Sequence, residues 1–461
     1  MDPFLNPFFL LRIAKIYYFD INRIWKSSWN EIRKYQDKCL QKMVKYAYNV
    51  PLYHDKYKKA GIQPDDIKGI KDIEKLPFIT KNDLREYYPN GIIPKGFDKK
   101  TGFLMSTSGS TGKPVFVYCD KFSSIKRLTA NVRELKAYGG NWRKSKIVLV
   151  IDLESGSVEN TVFSMSVMPF LKQILPMENI KYIHMGEKPE VMIKKINDFN
   201  PDFIGTDPNI LRELAHLINN GYGKDLNLKY IISSGAMLDN YTKKYVENAF
   251  GVRVLDVYGS TEAGSLAFEC LEGNYHVLSD FAHLEILDDQ QKSVEFNTPG
   301  KLVVTKLYGK GTPIIRYTGN EDFLIPIKKL CSCGINTPLI KKIEGRSTDM
   351  IVLPDGKLMS PLTVTGIPAK VMDYFGTYKI KQFQIIQHKV DEIEVLIVID
   401  DKLRNIGPSV EKILNELKKR FSEKIGSSVK VFVNEVDEIK KDETTNIIKV
   451  VVSKVKEHQP K

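Results

Sequence analysis

The run STSGSTGKPV, residues 106–115, gathers hydroxyls, two glycines and a lysine ahead of a proline. Glycine lets backbone N–H groups come close to an anion, and hydroxyls with an ammonium add donors, so the string has the chemistry of a phosphate cradle. It is not a P-loop. That motif needs four residues between its glycine and the Gly-Lys pair, and Ser or Thr after the lysine. Here two residues separate Gly109 from Gly112, and Pro114 follows Lys113. The proline also pushes Lys113 towards extended backbone, so no helix opens on the lysine. Taken alone, the string also reads as a polar turn, since Ser, Gly and Pro are common turn residues.

Three further segments carry charge at places where a ligand could use it. VYGSTEAG (257–264) follows an apolar run and places Glu262 just beyond a strand end, where ligands of open α/β sheets gather. A carboxylate there repels a triphosphate unless a hard cation such as Mg²⁺ lies between them; the plainer reading is a loop glutamate that caps the next helix. PIIRYTGNEDF (313–323) and KIEGRSTDMIVLPDG (342–356) are each, in isolation, compatible with surface loops. Cys270, His276, Cys331 and Cys333 are spaced Cys-x5-His and Cys-x-Cys. Three sulfurs and one imidazole suit a closed tetrahedral zinc, although Cys-x-Cys is tighter than the usual knuckle and free thiols remain the alternative. Cys39 and Cys119 have no such partners and read as core thiols. An odd, scattered set of five cysteines is no disulfide framework and points to a reducing, cytoplasmic compartment.

The elements that must position these residues follow from periodicity. Strand-like and helical runs alternate from about 147 to 259: IVLVID, PEVMIKKINDF, DFIGT, NILRELAHLINNGYG, KYIISSGA, DNYTKKYVENAFG and VRVLDVYG. This alternation predicts a doubly wound parallel sheet. FLMST and VFVYC predict a hairpin or adjacent strands around the Ser/Gly run. After 265, short strands with turns predict a small β-barrel or antiparallel sheet, and from about 346 a hairpin, a helix and a strand predict a compact α+β unit. The expected organisation is a helical part over 1–100, an α/β core with the barrel over 101–345, and a mobile C-terminal lid over 346–461. The apolar N-terminus is interrupted by Arg12, Lys15, Asp20 and Arg23, so it cannot span a bilayer. It predicts an amphipathic helix, docked on its own domain or in peripheral contact with a membrane. The net charge of +13 comes from lysines spread along the chain, which predicts a solvated surface and no nucleic-acid partner.

In this order and over this distance, the segments resemble the adenylate-forming enzymes, in the branch of phenylacetate–CoA ligases, coenzyme-adenylylating synthetases and capsule-biosynthesis homologues. The resemblance runs from about residue 45 to 435 and includes VPLYHDKYKKAGI and KLPFITKNDLREYYP. It implies that Ser106, Thr107, Ser108, Gly109, Ser110, Thr111, Gly112 and Lys113 cradle the phosphates of ATP. It implies adenine contacts from Ser234, Gly235 and Ala236, with Tyr258 as the stacking aromatic and Gly259 beside it among the nucleotide-binding residues. Thr261 resembles the phosphate-contacting threonine and Glu262 the magnesium-binding glutamate. Asp322 resembles the ribose-binding aspartate, although RYTGNED departs from the common Arg-Tyr-x-Thr-Gly-Asp and a slip by one residue would select Glu321. Arg346 resembles the nucleotide-contacting arginine beside the interdomain hinge, where Asp349 also lies. The branch's structural zinc would fall on Cys270, His276, Cys331 and Cys333.

The match fails at the far end. The family's C-terminal lysine, in a Pro-x4-Gly-Lys segment, bridges carboxylate and α-phosphate; here alignment of KVVVSKV puts Asn446 at the glycine and Ile447 at the lysine. Two residues on, an extended chain would bring Lys449 to the same side about 6.6 Å away, so Lys449, or Lys441, is expected to replace it. The resemblance implies an AMP-forming acid–thiol ligase acting on a small-molecule carboxylic acid, with ATP, Mg²⁺ and CoA. The alternatives are adenylyl transfer to a coenzyme or other non-carboxylate acceptor, and a nucleotide-binding homologue without turnover.

Overall fold

The computed structural model describes residues 7, 11, 14–107, 114–154, 157, 160, 178–223, 225–346, 350–440 and 449–455. The chain forms two compact units. The first is built from Met1–Asp207, Asp225–Gly235 and Arg253–Ile343, the second from Pro208–Lys224, Ala236–Val252 and Glu344–Lys461.

The first unit is organised by the strands that the apolar runs predict. Ile180–His184, Ile147–Ile151, Phe203–Thr206, Tyr230–Ser233 and Val254–Ser260 lie side by side in that order, all parallel. Their central residues, among them Val148, Ile204, Ile231 and Val254, are fully buried, as expected of strands covered on both faces. The chain passes from Ile147–Ile151 to one neighbour and then crosses to the other, so the winding direction reverses beside this strand. Such a reversal opens a crevice at the strand carboxyl ends. The strands expected as a small barrel continue this sheet antiparallel, in the order Gly264–Glu269, Tyr275–Val277, Leu339–Arg346, Asp322–Ile327, Gly300–Lys306 and Ala282–Leu287, giving eleven strands in one series. The reason lies in Val254–Ser260, which pairs parallel through Ile231↔Val254 and antiparallel through Val257↔Phe268.

Gly102–Ser106 and Phe116–Asp120 form the expected antiparallel hairpin, with Ser106 opposite Phe116. Helix Trp29–Ala47 starts at a capping box made by Ser28 and Glu31. It buries Leu40, Met43, Val44 and Ala47 in a cluster that also holds Tyr53, Tyr57, Val117, Ile314 and Tyr317. The described part of the N-terminal segment packs on the core: Ile16 and Ile24 are buried among Phe122, Ile125 and Tyr138. Asp20 pairs there with Lys126 and Arg23. Leu11, Tyr18 and Phe19 are exposed on this segment.

In the second unit the strand order is Lys430–Glu435, Glu392–Ile399, Ile380–Lys389 and Val451–Ser453. Helix Val410–Ile425 buries Ile413, Leu417, Phe421 and Ile425, the i, i+4 spacing of one face. Helices Pro208–Asn219 and Asn240–Phe250 belong to this unit, the latter closed by Gly251 in the left-handed region. No helix among the described residues is long and apolar enough to cross a membrane.

Glu134, on helix Lys121–Ala137, is fully buried, and desolvation pushes its carboxyl up to about 8 despite the neighbouring Arg133. A carboxyl raised in the folded state stabilises most below its unfolded value near 4.5 and loses that contribution as pH rises towards 8, by at most about 1.4 kcal/mol per pH unit. Glu134→Gln is therefore expected to gain thermal stability relative to the parent between pH 5 and 8. A stability difference that does not change with pH in parallel melts would contradict this.

Candidate functional site

The carboxyl end of strand Val254–Ser260 turns back through Thr261, Glu262 and Ala263 into Gly264–Glu269. Close approach explains the glycines here. A Cβ on Gly259 would lie 2.6 Å from the Gly264 carbonyl oxygen, and Gly264 has φ +88° with the Tyr308 hydroxyl 2.8 Å from its notional Cβ. The turn is held by side chains from three other segments. Arg127 Nη2 donates to the Thr261 carbonyl at 2.5 Å. The Tyr317 hydroxyl donates to Glu262 Oε1 at 2.7 Å, and the Tyr308 hydroxyl reaches the Ala263 carbonyl at 3.5 Å. Within the turn, the Ala263 amide donates to Ser260 Oγ at 3.2 Å. Glu262 is 5% exposed.

Facing this turn is the loop that ends in strand Asp322–Ile327. Asp322 accepts a hydrogen bond from the Tyr258 hydroxyl, so the expected stacking aromatic and the expected ribose carboxylate meet. Glu321 adopts φ +59° and pairs with Lys81 at 2.7 Å. Arg316, at φ +46°, anchors the loop: its guanidinium binds both oxygens of Glu285 at 2.8 and 3.1 Å and donates to the carbonyls of Glu74 and Leu76. It also stacks over Phe78 at 4.1 Å. The backbone of Ile79 bridges to Tyr317, which ties the segment before helix Lys81–Tyr87 to this loop.

Of the phosphate run, Ser106 ends its strand, and Thr107 closes the neck. The Thr107 amide donates to the Val115 carbonyl, and the Val115 amide to Thr107 Oγ1, both at 3.0 Å. Ser108, Gly109, Ser110, Thr111, Gly112 and Lys113 lie outside the described residues. The Ser234 amide donates to the Thr206 carbonyl at 3.0 Å; Gly235 follows at φ +90°, and Ser234 and Gly235 are exposed, with Ala236 half-buried. Arg346 ends strand Leu339–Arg346, while its side chain, like Asp349, is outside the described residues. Lys449 is half-buried in the second unit, and its carbonyl accepts from Gln384 Nε2 at 2.8 Å. Lys441, Asn446 and Ile447 lie outside the described residues.

Cys270, His276, Cys331 and Cys333 converge, with their donor atoms all within 4.8 Å of one another. Cys270 Sγ lies 3.6 Å from Cys331 Sγ, and Cys333 Sγ 3.1 Å from His276 Nε2. His276 Nδ1 faces Thr337 Oγ1 at 3.3 Å, which turns Nε2 towards the sulfurs. Burial lowers this imidazole to about 4, the neutral form a metal ligand needs. The three soft donors and one neutral imidazole fit zinc.

The sequence reading missed Tyr317, Arg127 and Tyr308 as supports of the turn. Tyr317 lies within PIIRYTGNEDF, but nothing in the string says that its hydroxyl reaches a residue 55 positions away.

Residues 98–308 match the family of AMP-binding enzymes, and residues 359–454 match the CapK C-terminal domain. The phenylacetate–coenzyme A ligase of Pseudomonas putida is 28% identical over 87% of this chain and 89% of its own. That of Thermus thermophilus is 25% identical over 86% and 89%. Among solved structures, 2-hydroxyisobutyryl-CoA ligase in the postadenylation state, in complex with an acyl-AMP, superposes with a TM-score of 0.77 at 19% identity, covering 94% of this chain and 91% of that one.

The Arg316–Glu285 pair is buried on both sides. Removing one partner of a buried pair leaves an uncompensated charge and costs about 3–5 kcal/mol. Arg316→Met is expected to lower stability by that amount in urea titration, and Arg316→Met with Glu285→Leu by less. Equal losses in the single and double variants would contradict the pairing.

Proposed function

Because the chain belongs to the AMP-binding, adenylate-forming superfamily, in the branch of phenylacetate–CoA ligases, we propose that it activates a carboxylic acid with ATP and passes the acyl group to CoA. A carboxylate oxygen attacks the α-phosphorus in line, and the bond to pyrophosphate breaks. The CoA thiol then attacks the acyl carbon, and AMP leaves with the bonding electrons.

The observation that carries the site assignment is the meeting of Tyr258, Glu262 and Asp322 at one end of one sheet, each carboxylate held by a phenol. In this reading Tyr258 stacks on adenine beside Ser234, Gly235, Ala236 and Gly259, and Asp322 takes the ribose. Glu321, the alternative one residue away, is paired with Lys81 at 2.7 Å. The run from Ser106 to Gly112, with Lys113 and Thr261, holds the phosphates, and Arg346 contacts the nucleotide. Mg²⁺ on Glu262 would neutralise phosphate charge. The protein's own part is to position the reactants and present donors already oriented for the developing charge.

Zinc on Cys270, His276, Cys331 and Cys333 has a structural role in this reading, since four protein ligands leave no open position. None of the five cysteines is joined in a disulfide, in keeping with the expected reducing, cytoplasmic setting. Lys449, or Lys441, would take the part of the family's C-terminal lysine.

The test is carboxylate-dependent exchange of pyrophosphate into ATP over a panel of acids, followed by thioester formation with CoA. Exchange with at least one acid is expected, and thioester only when CoA is added. Exchange with a non-carboxylate acceptor alone would favour adenylyl transfer, and ATP binding without any exchange a nucleotide-binding homologue. Lys449→Ala or Lys441→Ala is expected to slow exchange by about 10²–10³; unchanged rates in both would remove the replacement lysine. Metal analysis should find one zinc per chain, lost with stability in Cys331→Ser. A parent that as purified carries no zinc and melts at the same temperature as Cys331→Ser would rule the zinc out.

A further inference from the structure

Tyr317 is fully buried, and its backbone is fixed from two directions. Its amide and carbonyl exchange hydrogen bonds of 2.9 Å with Val304, and it bridges to Ile79 on the other side. The preceding Arg316 is locked to Glu285 and to two carbonyls of the N-terminal part. The ring has little room: a Cβ on Gly319 would lie 2.2 Å from the phenol oxygen, so this position must be glycine for the ring to lie where it does. The hydroxyl ends 2.7 Å from Glu262 Oε1. Burial, and then the charge of Glu262, push the phenol far above its ordinary range, so it remains a donor at every working pH.

A glutamate side chain has three rotatable bonds, and an ion ligand is useful only if its free oxygen is held in one place. We propose that Tyr317 is a positioning residue of the adenylation site: its phenol occupies Oε1 of Glu262 and leaves Oε2 directed at the divalent cation that accompanies the nucleotide. This rests on the reading of Glu262 as the metal-binding carboxylate. The phenol withdraws some charge from the carboxylate, which weakens it slightly as a ligand. Against that, loss of the donor leaves a buried acceptor unsatisfied, at a larger cost, and Glu262 can relieve it only by turning away. Orientation therefore outweighs basicity, and removal of the hydroxyl weakens cation binding.

The test is calorimetric ATP binding across a Mg²⁺ series for the full-length parent and Tyr317→Phe, with thermal melts of both in the absence of nucleotide. The parent is expected to bind ATP more tightly as Mg²⁺ rises. In Tyr317→Phe the Mg²⁺ concentration at half effect should rise about ten-fold, as expected for one hydrogen bond to a charged group. ATP affinity at saturating Mg²⁺ should return to the parent value. Gly319→Ala, which displaces the ring, should shift the Mg²⁺ midpoint in the same direction and also lower the melting temperature. A midpoint in Tyr317→Phe that is unmoved or lowered overturns the proposal, as does an affinity loss equal at every Mg²⁺ concentration. A parent whose ATP binding ignores Mg²⁺ overturns the reading of Glu262 itself, whereas failure of the acid panel alone leaves this measurement decisive.

Discussion

Residues Val254–Ser260 hydrogen-bond parallel to Tyr230–Ser233 on one side and antiparallel to Gly264–Glu269 on the other. A parallel neighbour has to be reached by a crossover, whereas an antiparallel one can follow a tight turn. Where the two senses meet, the chain must reverse within a few residues at the carboxyl end of the parallel half. That end is also where the crevice of a doubly wound sheet lies. The turn that carries Glu262 is thus short, glycine-flanked and at the crevice because of how one strand is paired.

Short turns leave backbone groups to be satisfied, and here other segments do it. Arg127, from the helix Lys121–Ala137, satisfies the Thr261 carbonyl, and Tyr308, from the antiparallel half, reaches that of Ala263. The same economy governs the carboxylates. Each of the two carboxylates accepts a hydrogen bond from a phenol: Glu262 from Tyr317 and Asp322 from Tyr258. A phenol orients one oxygen while leaving the group its charge.

The parallel half was legible because its signals are local. IVLVID, DFIGT and KYIISSGA are continuous apolar runs, and the helices between them end at Asn200 and Gly251, both in the left-handed region. The antiparallel half was legible as strands but not as a continuation of the same sheet, since that depends on Val257↔Phe268 and on pairs distant in sequence, such as Leu339↔His276. The set Cys270, His276, Cys331 and Cys333 was legible through the family resemblance, with spacing leaving free thiols open, and it is the fold that brings Cys331 to 3.6 Å from Cys270 across 61 positions. Tyr317 and Arg316 were invisible as supports for the same reason. Their partners, Glu262, Glu285 and the carbonyls of Glu74 and Leu76, are chosen by tertiary packing and leave no spacing to read.

The cysteine and histidine ligands have a place in this same logic. Cys270 follows strand Gly264–Glu269, His276 lies in Tyr275–Val277, and Cys331 and Cys333 precede Leu339–Arg346, three strands that are neighbours in the sheet. Tyr275–Val277 is only three residues long, and its ladder to Leu339–Arg346 shows just the pairs Leu339↔His276 and Ile340↔Tyr275. The Val277 amide adds a bond to the Pro338 carbonyl at 3.0 Å, and on the other side all three residues pair with Gly264–Glu269, the neighbour of Val254–Ser260. A four-coordinate metal held by these side chains would link all three strands. It would lie at the opposite end of Gly264–Glu269 from the Glu262 turn, so it would act on the site through the strand alone.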